Sequence, residues 1–331
     1  MTARLSTGRN HTHRYTLIQR RRLAHSFPCR ISGNGPDPPC AFALAVALAA
    51  GPAAAPPLTE RYADIGTMIV TTSAFTMFPH EKRAQGHTYE GKSYPADVHY
   101  SDRTVAIFVP KGFRAGGATN LVFYFHGWRN NVDDTFARFR VAEQLVASGV
   151  NAVLVLAEGP KNAPDSFGGK LEETGVFAGL VADVLSTLKA RGVVANAKPG
   201  SIVLAGHSGA YRVMAYILTR GGLTANIREV YLFDALYGQS EKFAHWIDRF
   251  PGKLVDIYTA EGGTREQSGD LMDDLRAWDI PFAAVPESAV TQDLLRKNRL
   301  VFIDSALEHD DVVAKNEQFR AFLTASALPR R

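Results

Sequence analysis

Short apolar runs alternate with longer amphipathic segments from residue 103 to the end of the chain. Several runs are apolar throughout, which is typical of strands covered on both faces. The runs lie at Thr104–Val109, Leu121–Phe125, Asn151–Leu156, Ser201–Ala205, Glu229–Phe233, Leu254–Thr259 and Leu300–Ile303. Apolar residues recur at helical spacing in the segments Thr135–Ser148, Gly175–Arg191, Ala210–Arg220, Ser240–Arg249, Arg265–Trp278 and Asp311–Ala327. The pattern predicts alternating strands and helices.

This alternation predicts an α/β fold with a mostly parallel sheet. Parallel neighbours need a crossover connection, and because a helix supplies it, we expect helices on both faces of the sheet. Residues 57–102 are expected to form an irregular or antiparallel beginning of the same sheet. No internal repeat or linker divides the sequence after residue 56, so we expect a single domain over residues 57–331.

The first 56 residues differ in composition from the rest of the chain. They hold seven arginines and one acid, Asp37, so their net charge is +6, whereas the net charge of the whole chain is +4. Residues 41–50 form an apolar stretch with the length of a signal-peptide core, and cleavage could follow Ala49 or Ala55. We interpret residues 1–56 as a leader of an exported protein, periplasmic or secreted. The alternative is that residues 1–39 precede the true start, which would leave the protein in the cytoplasm.

Charge and composition exclude several classes of protein. The chain after the leader is nearly neutral, so it lacks the basic field that binding to nucleic acid requires. No apolar run reaches the roughly 20 residues that cross a bilayer, and we expect no integral membrane span. Both cysteines, Cys29 and Cys40, lie in the leader. The processed chain would therefore use neither disulfides nor thiol chemistry.

A candidate nucleophile follows the predicted strand Ser201–Ala205. The next five residues, 206–210, read Gly-His-Ser-Gly-Ala and lead directly into a helix. This is the strand, turn and helix context of a G-x-S-x-G nucleophile elbow, although Ala210 stands where glycine is usual. Small residues are needed two positions before and after Ser208 because the turn is tight. The alternative interpretation is that Ser208 caps the helix.

Candidate oxyanion donors follow the predicted strand Leu121–Phe125. The glycine of the sequence His126-Gly127-Trp128 lets the backbone present N–H donors to a developing oxyanion. The donors would be the backbone amides of Trp128 and of Gly209, the residue after the candidate nucleophile. We interpret His126 itself as a residue that shapes the loop.

The last histidine, His309, lies between the last predicted strand and the last predicted helix. A serine hydroxyl is a weak nucleophile and needs a base with a pKa near neutrality, which suits histidine. The two acids that follow, Asp310 and Asp311, are interpreted as caps of the next helix, and we predict no metal site.

A histidine base also needs an acid that holds its tautomer, and the sequence offers two candidates. Asp234 follows a predicted strand in apolar surroundings, where an unpaired carboxylate would be costly. Glu261 follows the next strand, beside two glycines. The surroundings favour Asp234, and Glu261 stays as the alternative.

Over residues 100–331 the chain resembles the α/β-hydrolase superfamily. The resemblance rests on Phe125-His126-Gly127-Trp128, on Gly206-His207-Ser208-Gly209-Ala210, and on His309 after the last strand, in the order nucleophile, acid, histidine. It implies a single-domain fold and a serine hydrolase that cleaves a carboxylic ester, or a thioester or amide, through Ser208, His309 and Asp234 without a cofactor. In this superfamily the acid more often follows the strand after the one that bears Asp234.

The segment between Asp234 and the next helix, residues 235–239, is too short for a substantial lid. We therefore expect an open site that takes a small-molecule or polymeric acyl substrate. No strand is followed by G-x-G-x-x-G, and neither a P-loop nor an H-E-x-x-H motif occurs, which disfavours nucleotide and metal chemistry. The remaining alternative is a non-catalytic binding protein with the same fold.

Overall fold

Eleven strands are formed by residues 56–260 and 262–331, which are the residues that the computed structural model describes. They are β1 (Gly66–Thr72), β2 (His87–Tyr89), β3 (Lys92–Tyr94), β4 (Thr104–Pro110), β5 (Thr119–Phe125), β6 (Val153–Ala157), β7 (Pro199–His207), β8 (Ile227–Phe233), β9 (Lys253–Thr259), β10 (Ala283–Pro286) and β11 (Leu300–Ser305). Nine of them form one sheet in the order β1-β4-β6-β5-β7-β8-β9-β11-β10. β4 is antiparallel to both of its neighbours. Seven strands, in the order β6-β5-β7-β8-β9-β11-β10, are all parallel to one another.

The same described residues form ten α-helices. They are α1 (Leu58–Arg61), α2 (Ala96–His99), α3 (Val132–Phe139), α4 (Val141–Ser148), α5 (Val176–Ala190), α6 (Tyr211–Arg220), α7 (Ser240–Arg249), α8 (Arg265–Ala277), α9 (Gln292–Lys297) and α10 (Gln318–Thr324). None of these helices is both long and apolar enough to span a bilayer.

Two hydrophobic clusters cover the two faces of the sheet. Along β5, Leu121 and Phe123 belong to one cluster and Val122 and Tyr124 to the other, because successive side chains of a strand point to opposite faces. The first cluster includes residues of α5, α6, α7 and α8, and the second includes residues of α3, α4 and α10. The predicted fold class, an α/β fold with a mostly parallel sheet and helices on both faces, is confirmed.

The seven predicted strands of the sheet all form, and β1 supplies the antiparallel beginning expected within residues 57–102. The predicted helix Thr135–Ser148 is divided between two helices, α3 and α4. Arg140 lies between them with a left-handed φ of 50°, which breaks the helix. The short elements β10 and α9 were not predicted. Residues 1–55, which hold nearly all of the predicted leader, lie outside the described residues.

The predicted helix Asp311–Ala327 is wrong in its first third. Residues 309–316 form turns, and α10 begins only at Gln318. The side chains of Val312 and Val313 are buried in this turn, and the carbonyl of Val313 accepts a hydrogen bond from Gln144. The prediction that Asp310 and Asp311 cap the following helix is therefore wrong as well.

A carboxyl group in the sheet should make the stability of the fold depend on pH. Asp256 of β9 is fully buried, and burial, with the charge of Asp234, raises its pKa to about 7, although Ser268 donates a hydrogen bond to it. In the unfolded chain this carboxyl ionises near 3.8. The folded protein therefore loses stability as the pH rises between these two values.

We expect Asp256→Asn to increase the free energy of unfolding at pH 8 by about 2–4 kcal/mol relative to the unsubstituted chain, at about 1.4 kcal/mol per unit of pKa difference. The gain should shrink towards pH 4, where the side chain at position 256 is neutral in both folded proteins. Urea unfolding of both proteins between pH 4 and pH 8 measures it. An equal difference at every pH would contradict the assignment.

Candidate active site

Ser208 lies in a sharp turn at the carboxyl end of β7. Its φ is 57°, a left-handed conformation that costs a residue with a side chain about 1–3 kcal/mol. The turn is tight, since a Cβ on Gly206 would lie 2.7 Å from the Cβ of Ala210. No side-chain cap is formed at the start of the short turn Ser208–Ala210 or of α6. Ser208 thus lies in the tight turn between strand and helix that a nucleophile elbow requires, and it does not cap the helix.

Asp234 lies in a corresponding turn at the end of β8, with a φ of 45°, and its side chain is fully buried. Oδ1 accepts hydrogen bonds from the backbone N–H of Thr259, at 3.0 Å, and from the hydroxyl of Thr264, and Oδ2 accepts one from the hydroxyl of Thr259 at 2.8 Å. Burial by itself would raise the pKa of Asp234. Hydrogen bonds from His309, Thr264 and Thr259 outweigh burial and lower it, so the carboxylate is ionised.

His309 completes the set of bonds around this carboxylate. Its Nδ1 donates a hydrogen bond to Oδ2 of Asp234 at 2.6 Å, while its side chain stays partly exposed. The ring lies against that of His207, with centroids 4.5 Å apart, and Nε2 of His207 donates to the backbone carbonyl of His309 at 2.8 Å. Burial, and then the charge of His309, lower the pKa of His207 to about 4, so His207 is neutral. These contacts hold His309 beside the end of β7, the strand that is followed by Ser208.

The structure therefore joins two of the three predicted catalytic residues directly. Asp234 and His309 are hydrogen bonded, and His309 contacts the residue that precedes Ser208. Within residues 56–260 and 262–331, no hydrogen bond joins Ser208 to His309. The alternative acid, Glu261, lies outside the described residues.

The loops that carry the two predicted oxyanion donors, Trp128 and Gly209, lie against each other beside Ser208. A Cβ on Gly127 would lie 2.5 Å from the Cβ of Ser208 and 3.1 Å from the amide nitrogen of Gly209. A Cβ on Gly209 would lie 2.6 Å from the indole of Trp128. Only glycines allow these two loops to approach so closely. The loop of Gly127 and Trp128 therefore lies directly against the turn of Ser208 and Gly209.

Aromatic side chains surround the exposed side of the site. Trp128 is exposed, its indole N–H donates to the hydroxyl of Ser166 at 2.7 Å, and its ring lies 5.1 Å from that of Tyr89. On the side of His309, Tyr237 is exposed and its ring lies 6.1 Å from that of Tyr211. Only residues 234–239 separate β8 from α7, which agrees with the expected lack of a lid at this point.

Sequence reasoning missed the residues that support the site. The hydroxyls of Thr259 and Thr264 bind the carboxylate of Asp234, and Glu158 is bonded to His126 behind the candidate oxyanion loop. Glu158 is the first residue after β6, so the rule that directs attention to residues after strands applies to it equally. No pattern in the sequence marks the two threonines.

One cluster of side chains has the composition of a metal site. The ring nitrogens of His207 and His309 and a carboxylate oxygen of Asp310 lie within 4.8 Å of one another. However, His207 already donates to a backbone carbonyl, and Asp310 is paired with Arg138 at 2.5 Å. Since His207 donates to a protein carbonyl and Asp310 forms an ion pair, we assign no metal to the cluster.

Comparisons with known proteins give similarity in structure only. No protein-family model and no curated protein sequence matches the chain. A feruloyl esterase module from Clostridium thermocellum is similar in structure, with 11% identity over 80% of this chain and 88% of that chain and a TM-score of 0.47. The S-formylglutathione hydrolase of Staphylococcus aureus has 9% identity over 79% and 98%, with a TM-score of 0.46. An enterobactin and salmochelin hydrolase has 14% identity over 82% and 100%, with a TM-score of 0.46.

Proposed function

We propose that the chain is a serine hydrolase that cleaves a carboxylic ester, or a related thioester or amide, through an acyl-enzyme. The observation that carries the proposal is the 2.6 Å hydrogen bond between His309 and the buried carboxylate of Asp234, at the edge of the sheet where Ser208 lies in its strained turn. A buried, ionised acid bonded to a partly exposed imidazole is the arrangement that activates a serine hydroxyl.

In this mechanism Ser208 Oγ attacks the acyl carbon and its proton passes to Nε2 of His309. Asp234 holds the Nδ1 proton and stabilises the imidazolium. The carbonyl oxygen becomes an oxyanion that accepts hydrogen bonds from the backbone amides of Trp128 and Gly209. His309 then gives its proton to the leaving alcohol. Water attacks the acyl-enzyme, loses a proton to His309, and releases the acid and the Ser208 hydroxyl.

The mechanism requires Ser208 and His309 to come within hydrogen-bond distance. Within the part of the chain that the structure describes, the Ser208 hydroxyl makes no hydrogen bond and caps no helix. Contacts between catalytic groups commonly tighten only when substrate is bound. We therefore expect the contact between Ser208 and His309 to form when a substrate binds.

A fluorophosphonate probe tests the proposal. An activated serine attacks the phosphorus, fluoride leaves, and the serine keeps a stable phosphonyl group. We expect the native chain to be labelled, Ser208→Ala to remain unlabelled, and Ser288→Ala to be labelled at the native rate, because Ser288 is an exposed serine after the edge strand β10. Intact mass and peptide mapping identify the labelled residue.

The alternative function is a non-catalytic binding protein with the same fold. It predicts that the native protein resists the probe at all concentrations that label known serine hydrolases. Labelling at a serine other than Ser208 would reject the proposed nucleophile while keeping the general class of enzyme.

A further inference from the structure

A buried pair of ionisable side chains lies directly behind the candidate oxyanion loop. His126 is the first residue after β5 and Glu158 the first after β6, and these strands are parallel neighbours. The two residues, His126 and Glu158, are only 5% and 3% exposed. Nε2 of His126 lies 2.8 Å from Oε1 of Glu158. The second oxygen of Glu158 accepts a hydrogen bond from the backbone of Val132, at the start of α3. The pair is therefore tied to the first residue of α3.

The other ring nitrogen of His126 binds the oxyanion loop itself. Nδ1 lies 2.8 Å from the carbonyl oxygen of Gly127. A carbonyl oxygen only accepts, so Nδ1 must carry the proton. Burial by itself would lower the pKa of His126, but the hydrogen bond and charge of Glu158 outweigh it and raise the pKa. Whichever partner holds the proton between Nε2 and Glu158, Nδ1–H donates to Gly127.

This bond fixes the direction of a neighbouring amide. The carbonyl of Gly127 and the N–H of Trp128 belong to one planar trans peptide, so they point in opposite directions. In the sheet β5 lies between β6, which is followed by Glu158, and β7, which is followed by Ser208. With the carbonyl held by the ring that is bonded to Glu158, the N–H of Trp128 points away from that ring, to the side of Ser208.

We propose that His126 is a positioning residue that holds the Trp128 amide in the direction of the oxyanion, and that Glu158 fixes the His126 ring for this task. The proposal rests on the proposed function, because it concerns the donor of that reaction. Neither side chain contacts the reacting atoms. Their effect is on the transition state, in which the oxyanion needs a donor that is already aligned.

Two double variants separate this role from general stability. His126→Asn with Glu158→Gln replaces the ionisable pair by neutral groups and keeps an N–H donor at the position of Nδ1. His126→Leu with Glu158→Gln has nearly the same shape and lacks the donor. We expect the second double variant to have a kcat about 10- to 100-fold below that of the first, with KM nearly unchanged, since removal of a whole oxyanion donor costs about 10²- to 10³-fold.

A thionoester substrate gives a readout that folding does not imitate. Sulfur is a poor acceptor, so the rate ratio of an oxygen ester to its thionoester measures the benefit of the oxyanion donors. The ratio should fall in the His126→Leu double variant and stay near the native value in the His126→Asn double variant. Equal kcat values and equal ratios in the two double variants would overturn the proposal.

The native protein provides a test that does not depend on the stability of a variant. Nitrogen-15 spectra that correlate ring nitrogens with ring protons should show Nδ1 of His126 protonated and protected from exchange at neutral pH. An unprotonated Nδ1 would overturn the proposal. If the native protein also fails to react with the fluorophosphonate, the proposed function itself has failed. A native protein that reacts, together with an unprotonated Nδ1, rejects the positioning role alone.

Discussion

Replacing Ser208 by alanine is expected to lower the turnover of an ester substrate by about 10⁴- to 10⁶-fold. The methyl group cannot form an acyl-enzyme, so the reaction would have to proceed by direct attack of water. The oxyanion donors and bound substrate would still supply about 10³- to 10⁴-fold over the uncatalysed reaction. KM should change little, because the hydroxyl gives its binding energy mainly in the transition state. Steady-state kinetics with an activated ester measures both constants.

Ser288→Ala is the matched control for this variant. Ser288 is an exposed serine in the short turn Glu287–Ala289, four strands along the sheet from β7, and its loss should leave kcat and KM unchanged. The fold should survive in both variants, because alanine removes a single oxygen that makes no hydrogen bond in the described part of the chain. Less than a tenfold loss in Ser208→Ala would reject Ser208 as the nucleophile.

The sheet could be predicted from sequence because its strands are covered on both faces. In β5 the residues Leu121 and Phe123 enter one hydrophobic cluster and Val122 and Tyr124 the other, so the strand is a continuous apolar run. The missed elements β10 and α9 are short, with no buried residue in β10 and only Leu295 buried in α9, and short segments give a weak periodic signal.

The boundaries of helices were harder to predict where tertiary contacts override periodicity. Arg140 continues the helical spacing of its segment, yet its positive φ divides α3 from α4. Likewise, Val312 and Val313 belong to a segment with the spacing of a helix, but both are buried in the turn that follows His309. That turn keeps the backbone of His309 within reach of His207. Sequence periodicity does not contain this long-range contact.

For the site, the position of residues after strands was informative and their partners were not. The rule led to Ser208, Asp234 and the loop at Trp128, because ligands of open α/β sheets bind beyond the carboxyl ends of the strands. The rule did not distinguish Asp234 from Glu261, and only the apolar neighbours of Asp234 favoured it. The hydroxyl donors Thr259 and Thr264 meet Asp234 only in the folded chain, since they lie 25 and 30 residues away along it.

The network around Asp234 predicts that Asp234→Asn will lower kcat by about 10⁴-fold, through the tautomer of His309. Oδ1 accepts from the fixed backbone N–H of Thr259, so the asparagine must place its oxygen there and its NH₂ group at the position of Oδ2. That NH₂ group would then face Nδ1 of His309, which must accept and so lose its proton. The proton moves to Nε2, where it prevents His309 from accepting the proton of Ser208. The kcat from steady-state kinetics and the rate of fluorophosphonate labelling should fall together.

Two controls show whether this loss is specific to the hydrogen bond with His309. Asp256→Asn also replaces a fully buried carboxyl group, in the neighbouring strand β9, and it should keep kcat near the native value because Asp256 bonds to Ser268 and to no residue of the candidate site. Glu261→Gln should do the same if Asp234 is the acid. A deep loss in Glu261→Gln, with Asp234→Asn nearly as active as the native chain, would transfer the role to Glu261. Equal, moderate losses in all three variants would mean that His309 does not depend on a single carboxylate for its tautomer.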